Sequence, residues 1–376
     1  MNSRIQKILI IGGGFSGMTA ALQLSRQGYD VDLVEIDAGW RSYGAGISLN
    51  GSTLRVLAQL GLLDRFLEVG HASDGVEMRG PDDGVLMTLP TPRIAGPDIA
   101  GGGGILRPAL AKILSEAVLA SNTSVRLGVT FTDIVEDESG ARVTFSDGSE
   151  GRYDLVIGAD GLYSAVRAKV FPAAPKPRFI GQAVWRAVLP KPEGVDTVVM
   201  WMGRKLKAGV NLVNKDQVYL FLTEDRATND YVAPETFVET LRALLATFPS
   251  PTLQKIAAEL SSEHQIVYRP LEQMLLPRPW YNGRVVLIGD AVHATTPHLA
   301  AGACIGIEDA MVLAEELTGR ADLDEALKAF EARRWERCRM VVENSGRLAD
   351  IEINGGSPQD HASIMKMSMK TLAEAI

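Results

Sequence analysis

Apolar positions in this chain gather into short β-branched runs that end on glycine. Residues 7–11, Lys-Ile-Leu-Ile-Ile, are apolar after the lysine, the pattern of a parallel strand buried on both faces. A helix is expected over 14–27, stopped at Gly28, with a second strand over 31–35. Two later runs, 154–158 and 284–288, repeat the sequence of strand then glycine turn, ending in Asp160-Gly161 and Gly289-Asp290. Elsewhere the period changes. Residues 74–90 and 179–223 alternate extended apolar segments with turn residues, predicting a mainly antiparallel sheet. From about residue 324 to 376 the pattern is chiefly helical, with a break at Gly355-Gly356-Ser357-Pro358.

The first turn carries Gly12-x-Gly14-x-x-Gly17. In a strand–turn–helix unit the first glycine permits the tight turn, the second admits a pyrophosphate close to the backbone, and the third lets helix and strand pack. Backbone N–H groups at the helix start then face the phosphates. Glu35 closes the second strand, 18 residues beyond Gly17. A carboxylate at that offset accepts both hydroxyls of an adenosine ribose and repels a 2′-phosphate. The spacing predicts an adenine dinucleotide and leaves FAD and NAD open.

With the later motifs added, the sequence resembles the class A FAD-dependent monooxygenases, the family of para-hydroxybenzoate, salicylate and 6-hydroxynicotinate hydroxylases. Three signatures stand in the family order: the glycine cradle, Asp160-Gly161 with Ser164 and Arg167, and Gly289-Asp290 with His293 and Pro297. The resemblance implies FAD contacts at Gly12, Gly14, Phe15, Ser16, Gly17, Glu35, Ile36, Gly46, Arg107, Val129, Gly161, Gly289, Pro297, Ala301, Gly302 and Ala303. Asp290 would bond the ribityl chain, and the Asp160 segment would serve both FAD and a transient NADH or NADPH. Arg41 lies in a segment resembling the one beside the mobile flavin, where it either reaches the cofactors or stays a solvated loop residue. Asp160 has the alternative of capping the following helix. His293 fits a packed structural role better than a proton shuttle.

The wide separation of the motifs implies an α/β protein with a discontinuous Rossmann-like FAD-binding domain over 1–72, 100–177 and 269–350. A mainly antiparallel β-sheet substrate domain, 73–99 and 178–268, is inserted, and a helical C-terminal tail covers 351–376. Pro172, Pro175 and Pro177 mark one crossing and Arg269-Pro270 the return. One departure stands out: after Pro297 the family reads x-x-Gly-Gln-Gly, whereas this chain reads His298-Leu299-Ala300-Ala301-Gly302. Ala300 restricts backbone angles that glycine leaves open. Cys304, where the family often has asparagine, is expected to be a small buried packing residue.

Composition narrows the remaining choices. Hydrophobic residues make up 46% and charged residues 22% of 376 positions, with a net charge of −8 and no basic run, so nucleic acid is not an expected partner. Two cysteines and five histidines without ligand spacing give neither a disulfide framework nor a metal site, and fit a reducing, cytoplasmic setting. The uncharged stretch 8–24 superficially resembles a signal sequence, but it holds four glycines and is shorter than the ~20 residues of a membrane span.

The resemblance implies that NADH or NADPH reduces FAD, O₂ adds at flavin C4a, and the hydroperoxide hydroxylates a small aromatic or heteroaromatic substrate. Pocket candidates are Trp185, Met200, Leu212, Tyr219, Phe221 and Pro297; Tyr219, His293 and Arg186 are the candidate catalytic groups. Arg186 binds a substrate carboxylate if buried and merely solubilises a strand end if exposed. A monomer or homodimer is expected. Rival readings are an epoxidase, halogenase or dehydrogenase on the same scaffold, a silent FAD-binding regulator, and a peripherally attached quinone-pathway hydroxylase. Trp185-Arg186-Ala187 does not supply the halogenase signature Trp-x-Trp-x-Ile-Pro.

Overall fold

The structure, a computed structural model, describes residues 5–203 and 206–376. Ile8, Leu9, Ile10 and Ile11 are at most 1% exposed because their strand, Lys7–Ile11, lies inside a six-stranded sheet. Its order is Tyr281–Asn282, Val285–Leu287, Leu155–Gly158, Lys7–Ile11, Asp30–Glu35, Ser124–Leu127. All neighbours are parallel except the antiparallel Tyr281–Asn282 edge. Ile10 pairs with Ile157, and Ile157 with Val286. Three segments distant in sequence thus lie side by side, and all three glycine turns emerge at the carboxyl edge, where α/β sheets bind ligands.

A seven-stranded sheet forms the second layer. Its order is Ile266–Gln273, Arg178–Pro190, Gln217–Asp225, Leu206–Leu212, Val198–Met202, Val76–Arg79, Val85–Leu89. Only the Val198–Met202 and Val76–Arg79 pair is parallel. Its outer face forms a separate core with helices Phe237–Ala246 and Pro251–Glu259. Its inner face meets a small sheet of Gly46–Asn50, Gly102–Leu106 and His71–Ser73. Contact there is backbone-close: a Cβ on Gly46 would stand 2.4 Å from Tyr219 Cβ. The expected return at Arg269-Pro270 falls inside Ile266–Gln273, which stays paired as far as Gln273. Pro270 is tolerated because this is an edge strand, where its missing N–H breaks no ladder on the open side.

Helix Phe15–Arg26 packs along helix Gly302–Gly319, which in turn packs on the 32-residue helix Leu323–Asn354. Gly355 (φ +66) ends that helix in the left-handed conformation, and Ser357 caps the last one, Pro358–Ala373. No described helix is long and apolar enough to cross a membrane.

Candidate active site

The glycine cradle separates into two kinds of position. A Cβ on Gly12 (φ +108) would stand 2.4 Å from the Ala159 carbonyl oxygen, and one on Gly17 would stand 2.0 Å from that of Gly12. Protein packing demands glycine at both. Gly14 is extended, with φ −73 and ψ −177, and an added Cβ would meet nothing within 4 Å. Its bareness serves the open crevice. Ser16 Oγ lies against Gly289 and Gly306, so the first and third motifs are in direct contact.

Glu35 organises the far end of this crevice. Its two carboxylate oxygens accept from the N–H groups of Gly13 (2.7 Å) and Asp37 (2.8 Å), and Trp40 Nε1 donates to the Gly13 carbonyl (2.8 Å). Unused lone pairs remain on the carboxylate. Ile36 is 72% exposed, and Val129 donates its N–H to the Glu35 carbonyl. Gly13, Gly14, Glu35, Trp40, Arg41 and Arg107 border one cleft. Arg41 is exposed and forked onto Asp37, with its guanidinium over the Tyr43 ring. It is solvated at the rim of that same cleft. A larger cavity, about 500 Å³, lies between the last two helices among Arg347, Asp350 and Asp360; none of the glycine motifs borders it.

At the second turn the Asp160 carboxylate accepts from the Ser164 hydroxyl and the Val166 N–H. It thereby supports the start of the following helix, which Ser164 caps by accepting from the Arg167 N–H. Arg167, buried, donates to the carbonyls of Leu162 (2.7 Å) and Ala291 (2.8 Å), clasping the second motif to the third. Asp290 is crowded by protein yet keeps an exposed carboxylate at the crevice floor. That crowding raises its carboxyl above the usual range, against the charges of His293 and Arg107 and with that of Asp309.

His293 does not reach the crevice, which removes it from the candidate bases. It is 0% exposed, and its Nε2 sits 2.5 Å from Asp309 Oδ2. Asp309 also accepts from the Gly289 N–H and from Arg334 Nε, and Arg334 and Arg337 both bind Glu308. Burial works to raise the Asp309 carboxyl, but the His293 and Arg334 charges override it and bring it down to about 2. Burial likewise opposes charge on His293, and Asp309 prevails, holding it well above its ordinary value. His293, Asp309 and Cys338 are close enough to suggest a metal site, but Arg334 already supplies the cation. Cys304 is buried, as expected, and burial pushes its thiol up to about 12.

Strand alternation decides the cover face. Arg186, Tyr219, Phe221 and Met200 point inward. Trp185 and Leu212 point outward into the second core, where Trp185 donates to Glu224 and packs edge-on against Phe237, and they are corrected out of the pocket. Arg186 is half-buried and donates its Nε–H to the Tyr219 hydroxyl at 2.9 Å. Arg107 lies close enough to feel Arg186, Asp290 and Tyr219; burial and Arg186 both lower its guanidinium from the ordinary value. Its guanidinium lies over Phe15, 5.1 Å from the ring centroid. Among the described residues neither Arg107 nor Arg186 has an ion-pair partner.

The departure loop adopts the conformation that alanine resists: Ala300 has φ 49 and ψ 31. Ala301 is fully buried, while Pro297, Gly302 and Ala303 are half-buried. His298 anchors the loop. Thr296 donates to its Nδ1 (2.9 Å), and its Nε2 donates to Gln182 Oε1 (3.0 Å) and faces Glu352 at 3.3 Å. Glu352 also binds Lys207 and His361.

A family profile described as an FAD binding domain matches residues 6–345. The chain belongs to the class A FAD-dependent monooxygenases. It is 33% identical over 351 residues to 2-heptyl-3-hydroxy-4(1H)-quinolone synthase of Pseudomonas aeruginosa, covering 92% of this chain and 90% of that one. Over 368 residues it is 30% identical to an FAD-dependent urate hydroxylase of Klebsiella pneumoniae, covering 92% and 90%. The crystal structure of Klebsiella pneumoniae HpxO with FAD and uric acid superposes with a TM-score of 0.81 at 26% identity, covering 98% of this chain and 93% of that one. This class A monooxygenase is therefore an oxidoreductase with FAD as cofactor and NAD(P)H as co-substrate, hydroxylating an aromatic or heteroaromatic compound.

The monooxygenase's own residues fit FAD. Gly14 and Gly161 leave open space where side chains would stand, Asp290 is exposed, and Arg107 has no ion-pair partner among the described residues. When bound, the flavin supplies the electron transfer and the oxygen activation. Sequence reasoning missed the Asp309–Arg334–Glu308–Arg337 network and the Gln182–His298–Glu352–Lys207 network. Adjacent acids in the middle of the apolar Gly302–Gly319 helix were the available cue to the first.

Proposed function

We propose that this monooxygenase hydroxylates an aromatic or heteroaromatic compound bearing an ionised or hydroxyl group, seated between the crevice and Arg186, Tyr219, Phe221, Met200 and Pro297. The observation that carries this reading is the inward pair of Arg186 and Tyr219, with Arg107 opposite. Two guanidinium groups face one open carboxylate, Asp290, so the space between favours an anion. A guanidinium beside a substrate hydroxyl favours its ionised form, which makes the ring a better nucleophile. Tyr219 accepts from Arg186 and keeps its own proton to orient a substrate oxygen. The names of the quinolone synthase and the urate hydroxylase point to nitrogen heterocycles and support a heteroaromatic substrate here.

On the cofactor side, the cradle from Gly12 to Gly17, Glu35, Gly46, Arg107, the Asp160-Gly161 turn, Asp290 and the loop from Pro297 to Ala303 hold FAD. Arg107, Arg186 and Asp290 come from one chain, so a monomer or homodimer has complete sites. Two buried free cysteines suit a reducing, cytoplasmic setting. The test is NADH and NADPH oxidation by the FAD-loaded enzyme with phenols, aromatic acids and hydroxypyridines under labelled O₂. One labelled oxygen in an aromatic product is expected. Oxidation that no member of the panel stimulates, with no labelled product, would overturn the reading.

A further inference from the structure

One stretch of the inner face of the seven-stranded sheet, from Phe221 to Met87, stays apolar well beyond one aromatic ring. Strand register places Arg186, Phe221, Gly209, Met200, Met78 and Met87 side by side in one row across six adjacent strands. With strands ~4.8 Å apart, the row runs roughly 14 Å from the Arg186 strand to the Met200 strand and roughly 24 Å to that of Met87. Phe221, Met200 and Met78 are half-buried, and Met87 is 48% exposed, so the row leads from the protein interior to solvent.

Gly209 lets the Phe221 ring lie flat along the row. A Cβ there would stand 2.3 Å from Phe221 Cζ, so the Phe221 ring lies over the bare backbone of the neighbouring strand. The adjacent row on the same face, Val198, Val76 and Leu89, is also apolar. Arg186 is the only charge in either row. Methionine side chains adapt to flexible apolar partners, and a single ring at Arg186 leaves Met78 and Met87 uncovered.

Resting on the proposed function, we infer that the substrate carries an aliphatic tail. Its aromatic head bonds Arg186 and Tyr219, and the tail runs over Phe221 and Met200 toward Met78. The cation at one end and the methionines at the other match an amphiphile, head inward. Burying a methylene contributes about 0.8 kcal/mol, or roughly a fourfold gain in affinity per carbon.

The test is titration of the FAD-loaded protein with salicylate and its 5-methyl, 5-butyl and 5-heptyl derivatives, read by the flavin spectrum. At least a tenfold tightening is expected from methyl to butyl. Met78→Asn should flatten that dependence while leaving salicylate affinity unchanged, and Met200→Asn should flatten it as well. Met87→Asp, at an exposed position, guards against misfolding and should weaken only the heptyl compound. Arg186→Ala should weaken all members alike. Equal affinities across the series, or no binding of the heptyl compound, would overturn the inference. So would an unchanged chain-length dependence in the methionine variants, or a dimer that Met87→Asp dissociates without altering it. A chain-length dependence with no oxygen insertion into any aromatic would instead overturn the proposed function and leave the groove standing.

Discussion

Arg186 and Tyr219 lie on neighbouring strands, and the guanidinium Nε donates to the phenol oxygen at 2.9 Å on the face turned toward the flavin crevice. The remaining guanidinium N–H groups have no acceptor among the described residues. A bound anion is the natural acceptor, and hydrogen bonds to charged groups contribute about 1.5–3 kcal/mol.

Arg186→Ala is therefore expected to raise KM for an ionised aromatic substrate roughly 10- to 100-fold with a smaller change in kcat. Arg186→Lys should recover only part, since lysine lacks the planar fork. Steady-state kinetics on the FAD-loaded enzyme checks this; an unchanged KM would remove Arg186 from the site.

Gly14 and Gly12 should respond oppositely to alanine. Gly14→Ala places its Cβ in open space, so the apoprotein should unfold within about 1 kcal/mol of the parent while FAD affinity drops. Gly12→Ala forces a left-handed backbone and a clash with Ala159, and should destabilise the apoprotein itself. Thermal melts of apoprotein beside FAD titrations separate the two.

The buried His293–Asp309 pair gives stability a pH signature. Asp309 titrates at about 2 in the fold against an ordinary 3.8, so its contribution is present above about pH 4 and is lost as pH falls through 2. His293 is shifted upward, so its contribution is full below its unfolded value and is lost only as pH rises through the higher folded value. Asp309→Asn should cost roughly 3–5 kcal/mol near neutral pH and flatten the acid limb. Denaturant titrations across pH would show it.

Ala300 carries a left-handed backbone that glycine adopts without penalty. Ala300→Gly is expected to stabilise the enzyme by roughly 1 kcal/mol, after offsetting glycine's greater unfolded-state freedom. It should also loosen the loop at the flavin edge. A melting curve and the rate of flavin reduction by NAD(P)H measure the two effects separately.

What was legible in the sequence was whatever a local backbone rule dictates. The parallel strands and their glycine turns follow from short apolar runs and from positions where a Cβ cannot fit. The facing of the inserted sheet was not legible, because alternation assigns two faces without saying which is inward. Trp185 and Arg186 are adjacent, and the aromatic residue, the more inviting pocket candidate, took the outer face. The buried ion pairs were also hidden, since Asp309 meets an arginine 25 residues later on another helix. Glu35 and Asp160 show a third limit: their side chains bind their own backbone in the absence of ligand, which spacing alone does not reveal.

The clasp on the helix Pro358–Ala373 ties two distant parts of the fold together. Arg337, which neutralises Glu308 behind the flavin crevice, is itself held by the carbonyls of Thr371 and Leu372, and Leu372 also receives the Ser52 hydroxyl. Arg337 thus has N–H groups beyond those that Glu308 takes, and the last helix supplies their acceptors. Unseating that helix therefore reaches the nucleotide-binding core as a structural fault, without touching any residue of the crevice.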